Sequence, residues 1–345
     1  MAQSETNSAI PPVQDQLNRP VRDLRVSVTD RCNLRCTYCM PKEVFDEHHA
    51  FLPKDKVLRF EEIIRVARAT AALGVNKIRI TGGEPLMRKE LPHLIEMFLA
   101  IPGIDDVALT TNAILLPRHA KDLANAGLSR ITVSLDSLDD ETMGKINGMG
   151  IGATPVLEGI QAAVDAGLGP VKINAVLQRD VNDHEILDLA NHFRGTGHIL
   201  RFIEFMDVGT MNKWNMETVI PSVTIVDTIN AVHPLRPASP NYTGEVANRY
   251  VYEDGEGEIG LISSVTQPFC GGCTRLRLSS EGKLYTCLFG TEGHDIRPML
   301  RSGMTQDALQ EYIDGVWRKR SDNYSEKRST LDPSHRKVEM YHIGG

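Results

Sequence analysis

The sequence predicts an α/β fold in which parallel strands are joined by helices that carry the chain back across the sheet. Three observations lead there. Short runs rich in β-branched and aliphatic residues recur, among them Lys77 to Thr81 (KIRIT) and Arg130 to Asp136 (RITVSLD). Between them lie segments with apolar residues at helical spacing, several stopped by a glycine such as Gly74, Gly127 or Gly167. Alternation of the two periodicities marks βα units, and right-handed crossovers wind successive strands one way, into a barrel or part of one.

Taken in order, Leu24 to Thr29 alternates enough to be the first strand, and Phe60 to Leu73 is the first helix. Lys77–Thr81, Asp106–Thr110, Arg130–Asp136, Val171–Leu177 and Ile199–Phe205 read as the next five strands. Helical patterns at 91–100, 117–126, 154–166 and 184–193 fall between or after them. Six units make an incomplete (βα)6, TIM-like barrel, in which functional loops gather at the carboxyl ends of the strands. The rhythm stops near Gly209. Beyond it, 222–231 reads as helix, 234–244 as loop, 249–262 as short strands and 305–319 as helix before a polar tail. The expected organisation is therefore a disordered lead-in at 1–20, a barrel at 21–215, and an α+β region at 216–345 that covers the barrel mouth.

Composition narrows the partners. A formal net charge of −7 gives a nucleic-acid partner no support. Met1 to Pro20 is polar and lacks the apolar core of a signal peptide, and no apolar run reaches membrane-spanning length. A cytoplasmic location, where thiols stay reduced, is the expectation.

All six cysteines fall into two triads, Cys32-x3-Cys36-x2-Cys39 and Cys270-x2-Cys273 with Cys287. Three thiolates close in sequence can wrap one face of a metal centre. A structural zinc asks for four protein ligands, whereas a cubane iron–sulfur cluster held by three leaves one iron open. Three disulfides are the alternative, which the missing export signal and the large core oppose. For the second triad, His294 could complete a zinc site. Gly82-Gly83-Glu84-Pro85 follows the second strand, and paired glycines let a loop approach a ligand and offer carbonyls to an ammonium. Arg275 and Arg277 alternate on the strand before a hairpin turn at Ser279–Gly282, so both point to one face. Two guanidiniums side by side repel unless an anion sits between them, and their forks suit phosphate.

Cys32-x3-Cys36-x2-Cys39, with Tyr38 before the last cysteine and the Gly-Gly-Glu-Pro loop, resembles the radical S-adenosylmethionine superfamily. That resemblance implies a [4Fe–4S] cluster on Cys32, Cys36 and Cys39 whose open iron binds S-adenosylmethionine, cleaved by one electron to a 5′-deoxyadenosyl radical. It assigns Tyr38, Gly83, Ser134 and Met206 to the S-adenosylmethionine site.

The second triad with its Cys-x2-Cys-x-Arg-x-Arg pattern, and the closing Gly344-Gly345, resemble the GTP 3′,8-cyclase family of molybdenum cofactor biosynthesis. The likeness runs from about Leu24 to Gly345 and includes Arg79-Ile-Thr-Gly-Gly-Glu-Pro85 and Arg201-Phe-Ile-Glu-Phe-Met206. It implies a second [4Fe–4S] cluster on Cys270, Cys273 and Cys287, approached by the guanine ring. GTP contacts are implied at Arg25, Arg79, Thr110, Lys172, Arg275, Leu276 and Arg277, with Lys77 and Arg201 as further cations facing the triphosphate. Catalytic roles are implied for Arg25, Arg275 and Arg277, and for Gly344 and Gly345 threaded into the cavity. The implied chemistry removes hydrogen from ribose C3′, joins C3′ to guanine C8, and ends in reduction and protonation to 3′,8-cyclo-7,8-dihydro-GTP. A homodimer, an electron donor and delivery of product to cyclic pyranopterin monophosphate synthase are also implied. One departure stands out: the family reads Thr-Thr-Asn-Gly where Ala113 follows Asn112, and a Cβ disfavours positive φ. A peptide-modifying radical enzyme with an auxiliary cluster, or a non-catalytic zinc protein, are the alternatives.

Overall fold

The computed structural model describes residues 12–242, 244–328 and 337–344. Strands β1 (Asp23–Ser27), β2 (Lys77–Thr81), β3 (Asp106–Thr111), β4 (Arg130–Ser134), β5 (Lys172–Leu177) and β6 (Ile199–Glu204) lie side by side in chain order, all parallel. Helices α1 (Phe60–Ala71), α2 (Leu91–Leu99), α3 (Leu116–Asn125), α4 (Asp140–Ile146), α5 (Thr154–Asp165) and α6 (Ile186–Phe193) connect them. One set of alternate strand residues, Leu24, Val26, Ile78, Ile80, Val107, Leu109, Ile131 and Val133, is fully buried with Ile63, Phe98, Leu123 and Val156 of the helices. Period-two patterning therefore sends the intervening polar residues, Arg25, Arg79, Thr110 and Thr132, to the other face. Helix α4 is absent from the sequence-based expectation. It has only seven residues, and its visible signal is Asp139, whose side chain accepts from Thr142 N at 2.8 Å.

The carboxyl-terminal region does not simply lie over the ends of the parallel strands. After α7 (Ser222–Asn230) come β7 (Leu235–Ala238), β8 (Asn248–Tyr252), β9 (Glu258–Ile262), β10 (Arg275–Leu278), β11 (Lys283–Tyr285) and β12 (His294–Asp295). All join the same sheet, in the order β12-β11-β10-β1-β2-β3-β4-β5-β6-β9-β8-β7. Strand β9 pairs parallel to β6, and β10 pairs parallel to β1. Both edges of the six-stranded core are thus paired, which removes exposed edge donors. Residues 234–244, expected as loop, include β7.

The helices α8 (Arg297–Arg301) and α9 (Gln306–Arg318) lean on α1, where Arg301 Nε meets Glu62 Oε1 at 2.7 Å and Gln306 donates to Arg65 O at 2.9 Å. The short helices α10 (Tyr324–Lys327) and α11 (Met340–Ile343) follow.

The expected disordered lead-in needs correction over residues 12–20. Val13 N donates to Leu73 O at 2.9 Å, Asp15 and Arg19 form a buried ion pair at 2.6 Å, and the fully buried Trp317 donates to Arg19 O at 3.1 Å. A segment polar enough to read as solvated is in fact internally paired. Residues 1–11 and Gly345 lie outside the described residues. No described helix is long and apolar enough to cross a membrane.

Candidate active site

Strand register builds the site. Across β10, β1 and β2, Arg277, Arg25 and Arg79 lie directly opposite one another, and Arg275, Asp23 and Lys77 form the next row. These side chains face a cavity also lined by Thr110, Lys172, Arg201, Met206 and all three cysteines of the second triad. The cavity holds about 1280 Å³ of empty space, its opening to solvent included. Arg79 Nη1 donates to Thr110 and Thr132 at 3.1 Å each, and Arg201 Nη2 reaches Thr132 at 3.3 Å. Lys77 Nζ lies 3.6 Å from Asp23 and donates to Tyr242 at 3.1 Å.

The cations crowd one another with few carboxylates between them. Burial and then Arg277, Arg275 and Arg79 hold the Arg25 guanidinium well below its usual range. Burial and Arg201 bring the Lys172 ammonium down to about 8, burial and Arg79 bring Arg201 to about 9, and burial and Arg275 bring Arg277 to about 10. An arrangement of this kind is satisfied by a polyanion.

Leu276 is the exception among the expected contacts. It is fully buried in the core on the face of β10 opposite the arginines, so its side chain does not reach the cavity. Sequence reasoning missed Thr132, Asn174, Tyr242, Arg19 and Arg320. The first two were legible as inward positions of β4 and β5, while the other three sit in segments without a periodic signal.

The first triad lies off this cavity, in the loop after β1. Its backbone turns tightly, with Cys39 N and Met40 N both donating to Cys36 O. Arg35 braces it by donating to the carbonyls of Cys32, Leu34 and Phe45 at 3.0, 2.7 and 2.8 Å. Leu34 N approaches Cys32 Sγ at 3.4 Å, and Asn112 Nδ2 reaches the same sulfur at 3.9 Å and Asn33 at 2.8 Å. Tyr38 donates to the buried Asp136 at 2.7 Å, which also accepts from Val176 N at 2.8 Å. Ser134 ends β4, half-buried, outside the cavity lining.

Gly82 and Gly83 sit where β2 meets this loop. Gly82 has φ +143°, and a Cβ on Gly83 would stand 2.3 Å from Arg31 O. Glu84, buried, accepts from Leu86 N, Thr111 Oγ1 and Asn112 N at 3.0, 2.7 and 2.8 Å, tying the ends of β2 and β3 together. Ala113 keeps positive φ, +67°, and the neighbouring residue Gly159 leaves room for its Cβ. The alanine therefore sits in the left-handed region that glycine favours.

All six cysteines are free. Burial and the neighbouring thiols push Cys36 up, and burial raises Cys32 to about 11. Three thiols that oppose one another's ionisation become a good donor set only with a cationic centre among them. In the second triad, burial raises Cys287 to about 11, while at Cys273 burial is outweighed by Arg275 and Arg320, which bring it to about 6. Arg275 donates to Cys273 Sγ through Nε and Nη2 at 3.4 and 3.3 Å. His294 is exposed on β12 and away from the cavity lining, so it does not complete a zinc site there. Among the described residues, no group of three or more His, Cys, Asp or Glu closes around a single-ion position. Each triad offers three free thiols, the number of protein ligands that an iron–sulfur cluster takes when one iron is left open.

The carboxyl-terminal segment touches both regions. Tyr341 N donates to Cys39, its ring packs on Phe45 at 4.9 Å, and Arg277 Nη1 donates to Gly344 O. Gly344 is buried beside Thr81, where a Cβ would clash at 2.1 Å.

Fold and site define a radical S-adenosylmethionine enzyme. Residues 26–193 match the Radical SAM superfamily and 198–326 match Molybdenum Cofactor Synthesis C. Solved structures share the fold: Streptococcus suis SuiB bound to S-adenosylmethionine (TM-score 0.59, 14% identity, 92% of this chain and 76% of that one) and anSMEcpe with bound AdoMet and a peptide (0.58, 15%, 93% and 94%). The chain is 49% identical to a GTP 3′,8-cyclase of Acidothermus cellulolyticus, covering 97% of this chain and 99% of that protein. It is 50% identical to one of Xanthomonas campestris pv. campestris (97% and 98%). The chain belongs to the GTP 3′,8-cyclase family.

Gly83→Ala tests the loop contact. The variant should keep its far-UV circular dichroism but lose iron from the first centre and S-adenosylmethionine binding; full iron and normal binding would show that the close approach to Arg31 is unimportant.

Proposed function

We propose that this chain is a radical S-adenosylmethionine GTP 3′,8-cyclase of molybdenum cofactor biosynthesis, converting GTP to 3′,8-cyclo-7,8-dihydro-GTP with two [4Fe–4S] clusters. The observation that carries the reading is the in-register row Arg277, Arg25, Arg79, facing the same cavity as a cysteine triad. The first cluster and S-adenosylmethionine, when bound, supply the electron and the organic radical.

The chain's own residues do the rest. Cys32, Cys36 and Cys39 hold the first cluster, with Tyr38, Gly83, Ser134 and Met206 around S-adenosylmethionine. Cys270, Cys273 and Cys287 hold the second. Arg25, Arg79, Arg275 and Arg277, with Lys77, Lys172 and Arg201, take the triphosphate through charge-assisted hydrogen bonds. Thr110 and Thr132 fix the Arg79 fork, so the anion meets donors already oriented. Ile203, Ile262, Phe269 and Phe289 line the same cavity and exclude water from a reactive centre. Gly344 places a carbonyl on Arg277, bringing the tail to the substrate side of the cavity.

The parallel run β1–β6 supports an incomplete (βα)6 barrel spanning 21–215, with 216–345 completing its mouth. Six free cysteines support a cytoplasmic setting. Family membership supports a homodimer, an external electron donor and delivery of product to cyclic pyranopterin monophosphate synthase. A peptide substrate has less use for so many buried cations.

Anaerobic reconstitution should give about eight irons per chain, as two cubanes require. With reductant, S-adenosylmethionine and GTP, the enzyme should yield 5′-deoxyadenosine and the cyclised nucleotide; stoichiometric zinc, or 5′-deoxyadenosine without nucleotide product, would defeat the assignment. Lys172 gives a pH test. Its ammonium is held down to about 8, and a bound triphosphate favours the charged form. GTP affinity should be level below that pH and fall as pH rises through it, while Lys172→Arg should bind evenly across the range. A wild-type affinity unchanged through about pH 9 would remove Lys172 from the triphosphate site.

A further inference from the structure

Arg19 is 1% exposed, in a segment whose sequence reads as solvated. Its fork is largely spent on structure: Nε donates to Asp15 Oδ2 at 2.6 Å, and Nη1 to Cys270 O at 3.0 Å and Asp322 O at 2.6 Å. Nη2 is buried and has no partner. The residue lines the cavity together with Cys270, Cys273 and Cys287.

A buried guanidinium nitrogen without an acceptor is costly, and because Arg19 lines the cavity, a group seated there beside it could supply that acceptor. The nearby carboxylates are engaged. Asp15 already takes Arg19 Nε and lies 3.4 Å from Arg320 Nη1, while Asp322 takes Arg320 Nε at 2.9 Å and Thr286 Oγ1 at 3.2 Å. The two arginines also grip the cysteine loop itself, Arg19 at Cys270 O and Arg320 at Cys273 O, the latter at 2.8 Å. On the Cys273 side the thiol already has a donor in Arg275.

We propose that Arg19 Nη2 donates a hydrogen bond to a sulfur of the second cluster, stabilising its reduced form and so setting its potential. The inference rests on the reading that Cys270, Cys273 and Cys287 hold that cluster. A cubane core with three thiolates is net negative and becomes more so on reduction, so a cationic donor at its sulfurs favours the reduced state. Asp15 aims the fork, and Trp317, donating to Arg19 O, fixes the segment that carries it.

The test compares the reconstituted full chain with Arg19→Gln and Arg19→Lys. Iron and sulfide are counted, each cluster's potential is read by EPR-monitored redox titration, and GTP affinity is measured. Arg19→Gln should keep about eight irons, shift the second cluster to lower potential with an altered EPR signal, and leave the first cluster and GTP affinity unchanged. Arg19→Lys should fall between. An unmoved second cluster in both variants overturns the proposal, as does a tenfold loss of GTP affinity with both clusters unmoved, which would make Nη2 a nucleotide contact. If Arg19→Gln cannot hold the second cluster, Arg19→Lys decides, and a wild-type potential there overturns the inference. A wild-type chain holding only about four irons would instead fail the two-cluster reading, and this inference with it.

Discussion

Three arginines in register across three neighbouring strands are the constraint on which the site depends. Cross-strand like charges oppose pairing, and at an effective dielectric near 20 two charges about 5 Å apart repel by about 3 kcal/mol. The sheet holds because the opposite face of the same strands is buried without exception: Leu24, Val26, Ile78, Ile80, Leu276 and Leu278 are all fully enclosed. Apolar burial on one face thus stabilises a row of unneutralised cations on the other. In the proposed function, the triphosphate supplies the negative charge that the protein leaves out of this row.

That row exists only because β10 returns from the carboxyl-terminal region to pair with β1. A barrel of six strands would end at β1 and carry Arg25 and Arg79 alone. The region expected to act as a cover therefore supplies part of the floor. Strand β10 also follows directly on Cys273, so the pairing that brings Arg275 and Arg277 into place positions the second triad as well. The residues before β1 brace this junction from outside, and the carboxyl-terminal segment reaches from Cys39 to Arg277 across the two halves of the site.

Much of this was legible in the sequence. Period-two alternation in Lys77–Thr81 and Arg275–Leu278 placed the arginines on one face, and cysteine spacing separated the two triads. Pairing partners were not legible, because alternation says which face a residue takes but not which strand lies beside it. Leu276 differs from its neighbours for a related reason: adjacent strand residues point to opposite sides, so its side chain lies in the core while those of Arg275 and Arg277 face the cavity. Residues 12–20 read as solvated because Asp15 and Arg19 are polar, yet each is the other's buried partner. Ala113 shows an accommodation at a distance in sequence, the missing side chain of Gly159 leaving space for its carbonyl and Cβ while it keeps a left-handed conformation.

The central claim is that the arginine row is held against its own repulsion for the sake of a triphosphate, and Arg25 is its middle member. Thermal unfolding of Arg25→Met, with and without GTP, tests it most directly. Relief of repulsion should leave the nucleotide-free variant at least as stable as the wild type, while the GTP-induced rise in Tm should be largely lost. A variant that is less stable without nucleotide yet still gains the full wild-type shift with GTP would contradict the account.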